Sequence, residues 1–119
     1  KGGHMNLDKV NYLREISKIL SDEKRIIMLK LMSENMMCTC HFVEIFDSSQ
    51  PLISQNIKKM KELDIIVEEN SAQWTYYKIN NKSKYYDILI NILKELPDMS
   101  EYLEIVKGNR CEVKRNKEI

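Results

Sequence analysis

Between Leu63 and Trp74 the apolar residues of this chain change their period. Before that point Ile53, Ile57, Met60 and Leu63 recur at the spacing of one helix face. After it come two β-branched and aromatic runs, Ile65-Ile66-Val67 and Trp74-Thr75-Tyr76-Tyr77-Lys78-Ile79. The residues between them, Glu68-Glu69-Asn70-Ser71-Ala72-Gln73, are polar, so the pair reads as a two-stranded hairpin. A helix that runs directly into one hairpin, with helical spacing on both sides, leaves few architectures open.

The flanking segments supply the rest of the order. Leu7, Val10, Leu13, Ile16 and Leu20 form a helical stripe over residues 7–20, with Asn6 or Asp8 near its start. Residues 23–33 are nearly apolar all round, which predicts a central buried helix. A short third helix fits Thr39 to Phe46 with Thr39 as its cap, and Asp47-Ser48-Ser49 reads as a turn and cap cluster. Pro51 suits the first turn of the fourth helix, where its missing N–H has no partner to lose. Residues 83–96 return to helical spacing, Pro97 stops them, and Asp98 begins a last short helix with Tyr102, Leu103 and Val106. The expected fold is mainly α with a two-stranded β-hairpin, in the order α-α-α-α-β-β-α-α. A hairpin directly after a helix–turn–helix is a winged helix–turn–helix, whose second helix presents its N-terminal face to a DNA major groove.

Composition excludes several alternatives. No glycine lies between Gly3 and Gly108, and Pro51 and Pro97 are the only prolines, which argues against a many-turned sandwich or barrel. No apolar run approaches the roughly 20 residues of a membrane span. Residues 1–4 read as a tag remnant, residues 5–106 as one winged-helix domain, and residues 107–119 as a basic flexible tail. The net charge is only +1, so binding to nucleic acid must rest on local charge. Three cysteines with no export signal fit a cytoplasmic protein whose thiols do metal or redox work. No glycine-rich phosphate loop and no histidine beside a nucleophile is present, so an enzyme is not expected.

Four pieces together resemble the ArsR/SmtB family of bacterial metal-sensing repressors. They are Leu20-Ser21-Asp22-Glu23-Lys24-Arg25, Met37-Cys38-Thr39-Cys40, the segment from Ser49-Gln50-Pro51 to Lys58, and Trp74 to Ile79. The resemblance implies a homodimer joined through the first and last helices and bound to operator DNA. It also implies that Cys38 and Cys40 form a thiol-rich inducer site on the third helix. Arsenical sensors of this kind carry a third cysteine where this chain has Val43, and His41 stands where some zinc and cadmium sensors have an acid. The other zinc site known in the family needs a histidine on the fifth helix, and residues 83–96 contain none.

The residues support both sites in chemical terms. Ser49, Gln50, Leu52, Ser54, Gln55 and Asn56 open the fourth helix, and amides such as Gln55 and Asn56 pair with adenine edges. Lys58, Lys59 and Lys61 follow, opposed locally by Glu62, and would sit over phosphates. Glu68 and Glu69 near the hairpin tip would repel DNA, which leaves a protein-interaction module open as an alternative. Cys38 and Cys40 begin a helix, where partial positive charge favours thiolate. Soft thiolates select copper(I), zinc, cadmium or arsenic(III) over hard cations; the resemblance favours arsenic(III), with cadmium, lead or zinc as the other ions, and His41 and Cys111 are the remaining candidate ligands. Free cysteines are also often plain buried hydrophobes. Sensing of peroxide or persulfide by the same thiols is a further alternative, with Cys111 or a partner chain supplying the second sulfur.

Overall fold

Asp22 starts the helix around which the rest of the protein is built. The structure, a computed structural model, describes residues 5–116; the expected tag remnant at 1–4 and residues 117–119 lie outside the described residues. The Asp22 carboxylate accepts the backbone N–H groups of Lys24 at 2.7 Å and Arg25 at 3.3 Å, filling two of the donors that a helix start leaves free. The helix that follows, α2 (Glu23–Met32), buries Ile27, Met28, Leu29, Leu31 and Met32. Its apolar surface on all sides thus reflects a central position, as the sequence predicts. In front of it α1 (Asp8–Ile19) buries Ile16 and Ile19 and is tied down by Tyr12. The Tyr12 ring stacks on Tyr85 at 4.8 Å, and its hydroxyl donates to the Lys84 carbonyl. Of the rest of the stripe, Leu7 just ahead of α1 and Val10 and Leu13 on it remain half exposed, while Leu20 packs partly buried against the core.

A short helix and the longest one come next. Asn35–Met36 form a two-residue strand, β1, followed by α3 (Thr39–Phe46) and α4 (Gln50–Glu62). The turn between the helices depends on Asp47, which takes a left-handed conformation (φ 48°) that a short polar side chain tolerates. Ser49 then caps α4, its hydroxyl accepting the Leu52 N–H, and Pro51 sits in the first turn as expected. The cap of α3 differs from the sequence reading: Cys38 holds that position, one residue before Thr39. Ile53, Ile57 and Met60 turn the apolar face of α4 into the core.

The hairpin is formed by β2 (Ile66–Ser71) and β3 (Trp74–Ile79), paired antiparallel from Ile66 opposite Ile79 to Ser71 opposite Trp74. Only Ala72 and Gln73 make the turn, with Ala72 at φ 56°. Glu68 and Glu69 therefore lie within the strand, not at the tip, because the first strand runs four residues further than its β-branched part. Met37 adds a bridge to this sheet by exchanging two backbone bonds with Tyr77. Helix α5 (Tyr86–Leu93) is shorter than the 83–96 span expected, and α6 (Tyr102–Ile105) is a single turn.

The largest departure from the sequence reading is the C-terminal segment. Residues 107–116 are not a free tail: Gly108, at φ 90°, turns the chain back, and Lys114–Arg115 form a strand, β4, paired with β1. Asn116 continues the contact, its N–H donating to the Glu34 carbonyl at 2.9 Å. The turn is glycine's because an L side chain rarely adopts that φ. Among the described residues no helix is long and apolar enough to cross a membrane.

Candidate functional site

Two surfaces gather the residues singled out by the sequence. The first is the outer face of α4. Gln50, Leu52, Gln55, Lys58 and Lys59 are exposed, with Ser49 at the cap and Ser54 half-buried. Gln50 donates to the Ser54 hydroxyl at 3.0 Å, which aligns two polar groups along the helix start. Asn56 is turned the other way. Its carbonyl oxygen accepts from Arg25 Nη1 at 2.8 Å, so it anchors α4 to the body and does not face solvent with Gln55.

Arg25 is the residue that sequence reasoning missed here. It is 6% exposed, and its guanidinium also donates to the carbonyls of Ile19 and Lys18. A five-donor planar group is suited to hold three acceptors at once. One buried arginine thus fixes the end of α1 and the middle of α4 relative to each other. An arginine entering the nearly apolar run of residues 26–29 was the available signal.

The lysines of this face are unequal. Lys58 and Lys59 are exposed, whereas Lys61 is paired with Glu68 across to the hairpin, a contact that also raises its pKa. Lys78 is likewise paired with Glu69 at 3.1 Å. The two acids of β2 are therefore matched by lysines, and the repulsion expected of an acidic tip does not arise at the tip. The cost is that Lys61 and Lys78 are partly committed within the protein.

The second surface is a buried cluster at the start of α3. The ligand atoms of Cys38, Cys40, His41 and Cys111 all lie within 4.8 Å of one another. Cys38 is 4% exposed and Cys111 is fully buried, and the two are joined as a disulfide. Their Cα atoms are 7.3 Å apart. Ordinary disulfides span roughly 4.4–6.8 Å between Cα atoms, so this pair lies just outside the usual span. Cys40 is free and half-buried, its sulfur 3.7 Å from Asn109 Oδ1. Asn109 braces the group further, accepting the Cys111 N–H and donating to Glu44.

His41 already has work for both ring nitrogens. Its Nδ1 accepts the Cys38 N–H at 2.9 Å, so Nε2 carries the proton and donates to the Cys111 carbonyl at 2.5 Å. Burial lowers its pKa, against the Cys111 carbonyl and Glu44. A neutral imidazole in that tautomer caps α3 and clamps the C-terminal segment onto it. Once the Cys38–Cys111 bond is reduced, the three sulfurs, rather than the histidine, form the donor set. Burial also raises the Cys40 thiol, outweighing the backbone N–H groups of Cys40 and His41 that favour thiolate. The helix-terminus effect expected from sequence is present but smaller than desolvation. As a set, three soft donors in a largely apolar setting match a thiophilic ion and suit hard cations poorly.

A capped helix–turn–helix with an exposed polar start, followed by a hairpin bridged to its entry, defines a winged helix–turn–helix DNA-binding regulator. Residues 22–67 match the model of the arsR family of bacterial regulatory proteins. The chain is 33% identical over 66 residues to the arsenical resistance operon repressor of Bacillus subtilis, covering 55% of this chain and 63% of that protein. It is 31% identical over 74 residues to an uncharacterized HTH-type transcriptional regulator of Methanocaldococcus jannaschii, covering 61% of this chain and 83% of that one. The homodimeric winged helix–turn–helix DNA-binding domain of a Mycobacterium bovis protein superposes with a TM-score of 0.57 at 13% identity, over 93% of this chain and 94% of that one. The chain belongs to the arsR family of transcriptional regulators. It spans less than two thirds of the length of the Bacillus repressor.

Proposed function

We propose that this protein is a homodimeric, cytoplasmic repressor that leaves its operator when a soft ion closes Cys38, Cys40 and Cys111 together. Trivalent arsenic suits the site best, because it forms three bonds and favours sulfur. Cadmium, lead and zinc are the other candidates for a thiolate site. The observation that carries this reading is the convergence of three sulfurs at the start of α3, the helix that leads into α4. The name of the Bacillus relative agrees with it.

On the DNA side, Ser49, Gln50, Leu52, Ser54 and Gln55 would meet the groove, while Lys58 and Lys59 lie over phosphates. Asn56 acts through Arg25 by orienting the helix. The half-exposed Leu7, Val10 and Leu13 of α1, together with Ile92 and Ile105 near the chain's last helices, form the face for a second copy. Two recognition helices on a two-fold axis would read half-sites about one helical turn apart, ~34–36 Å.

The coupling follows from what the cysteines are attached to. Cys38 caps α3 and follows Met37, which is bonded to Tyr77 in the hairpin. Cys111 precedes Glu112, whose carbonyl accepts the Tyr76 hydroxyl at 2.8 Å, and Lys114 donates to Ser71 beside the hairpin tip. An ion that inserts between the sulfurs would therefore act on α3, α4 and the wing at once. A coupling of about 1–3 kcal/mol, roughly 5–150-fold in DNA affinity, is enough for release. Because β4 and His41 already hold the C-terminal segment, most of its ordering cost is met before the ion arrives.

The test is an arsenite titration followed by thiolate-to-metal absorption, with and without operator DNA. Three-thiolate absorption accompanied by loss of DNA is the expected result; DNA that stays bound at saturation defeats the proposal. Contact between the Cys38 and Cys111 sulfurs favours one second reading, release by thiol oxidation. Mass spectrometry after mild peroxide separates the two, since only that reading links disulfide formation to DNA loss.

A further inference from the structure

A recess of another chemistry lies where the ribbon of β1 and β4 packs on one face of the hairpin. Val67 is opposite Lys78 and Glu69 opposite Tyr76, so the pleat puts all four side chains on that face. Met36 of β1 packs against the cluster that holds Tyr76. Lys114 of β4 crosses the same face, its ammonium 5.2 Å from the Tyr76 ring centroid and donating to the Ser71 hydroxyl at 2.7 Å. Near the hairpin base a cavity of about 470 Å³ is lined from both sheets, by Val67 and Lys78 of the hairpin and by Met36, Lys114 and Arg115 of the ribbon, with Tyr86 from the start of α5. Its volume is that of a small-molecule site, roughly 300–1,000 Å³. No cysteine lines it, nor does any residue of α4.

The charge around this cavity is one-sided. Lys78, Lys114 and Arg115 border it against Glu69 alone, and Glu69 is already paired with Lys78 at 3.1 Å. Neither Lys114 nor Arg115 has a carboxylate within ion-pair distance among the described residues. A recess with an excess of positive charge concentrates anions, and a guanidinium matches the two oxygens of a carboxylate. Met36, Val67 and the Tyr86 ring offer apolar surface that an inorganic anion would leave uncovered. We propose that this cavity is a binding site for an aromatic carboxylate, with its oxygens on Arg115, in the field of Lys78 and Lys114, and its ring against Met36, Val67 and Tyr86. The bound molecule touches the wing and the C-terminal strand together, and adds to the Lys114–Ser71 and Tyr76–Glu112 bonds that join them. The site shares no residue with the thiol cluster or the α4 face, so it stands or falls apart from the repressor function proposed above.

The probe is 2-naphthoate, titrated by calorimetry into the full-length protein, with the neutral 2-naphthalenemethanol and the ring-free acetate as comparisons. A charge-assisted hydrogen bond and a buried ring are each worth at least about tenfold in affinity, so 2-naphthoate should bind at least about tenfold more tightly than either comparison. Arg115 is exposed, so Arg115→Ala spares the core and should weaken 2-naphthoate about tenfold. Val67→Trp, which fills the cavity, should weaken it by at least as much. In the parent protein, amide chemical shifts during the titration should gather on β2, β3 and β4, a measurement that needs no variant. Equal affinity for 2-naphthoate and either comparison overturns the proposal. So do shifts that gather elsewhere, or Arg115→Ala and Val67→Trp proteins that both bind 2-naphthoate as the parent does.

Discussion

The two helices of the helix–turn–helix begin in opposite ways. Helix α4 starts in solvent, capped by a serine hydroxyl, with Gln50, Leu52 and Gln55 facing outward. Helix α3 starts in the interior, with Cys38 at its cap and the imidazole of His41 accepting the cap N–H. Both ends carry the same partial positive charge and unpaired donors. An exposed start leaves them available to DNA phosphates and bases. A buried start spends them on organising sulfurs, and the surrounding loss of water decides the chemistry. The lesson is that burial, not the helix terminus alone, sets what a helix start binds.

Removing the buried cap should be the most damaging change to this contrast. His41→Ala leaves a cavity, an unpaired Cys38 N–H and an unpaired Cys111 carbonyl, and is expected to cost about 3 kcal/mol of stability. Chemical denaturation would measure it, and a loss below that of an exposed cap would erase the distinction between the two starts. Next in size is the double change Cys38→Ser and Cys40→Ser. It should abolish the roughly 5–150-fold effect of arsenite on DNA affinity while leaving DNA binding in place. Fluorescence anisotropy with operator DNA reads both quantities, and continued release by arsenite would move the sensor elsewhere.

The exposed start makes smaller demands on the fold and larger ones on recognition. Gln55→Ala should lose about 1–3 kcal/mol of discrimination between operator and unrelated DNA, if a base contact is removed. Lys58→Ala should weaken both DNAs alike and reduce the salt slope by about one. Equal binding of both DNAs by the parent protein would undo the comparison from this side. Smallest is Ser49→Ala, expected to cost about 1 kcal/mol of stability through the lost cap. Thermal unfolding beside the His41 variant places the two caps on one scale.

These differences also explain what could be read from the sequence. The exposed α4 was legible because Ser49, Pro51 and the Ile53–Ile57–Met60 face are all local signals. The hairpin was legible for the same reason, although its first strand runs on through Glu68 to Ser71 without β-forming residues. Cys111 was legible as a candidate ligand, but the strands that hold it beside Cys38 were not. Its position depends on Gly108 turning the chain and on β1 and β4, strands of two residues each, too short to show any period. Asn56 was assigned to the groove by its chemistry, and its partner Arg25 lies 31 residues away, beyond the reach of local pattern.

Cys38 and Cys111 are 73 residues apart in sequence, and the chain between them contains α3, α4, the hairpin, α5 and α6. An ion that joins their sulfurs closes all of these elements into one covalently continuous ring, with α1 and α2 outside it. Closing a loop of that length removes about 4 kcal/mol of entropy from the unfolded chain by the estimate used for cross-links. The inducer would then act as a staple as well as a signal. The form released from DNA would be the harder one to unfold and to digest, so a cell under toxic load would keep its repressor intact while it is silenced. When the ion is gone, the same molecules would be ready to close the operator again.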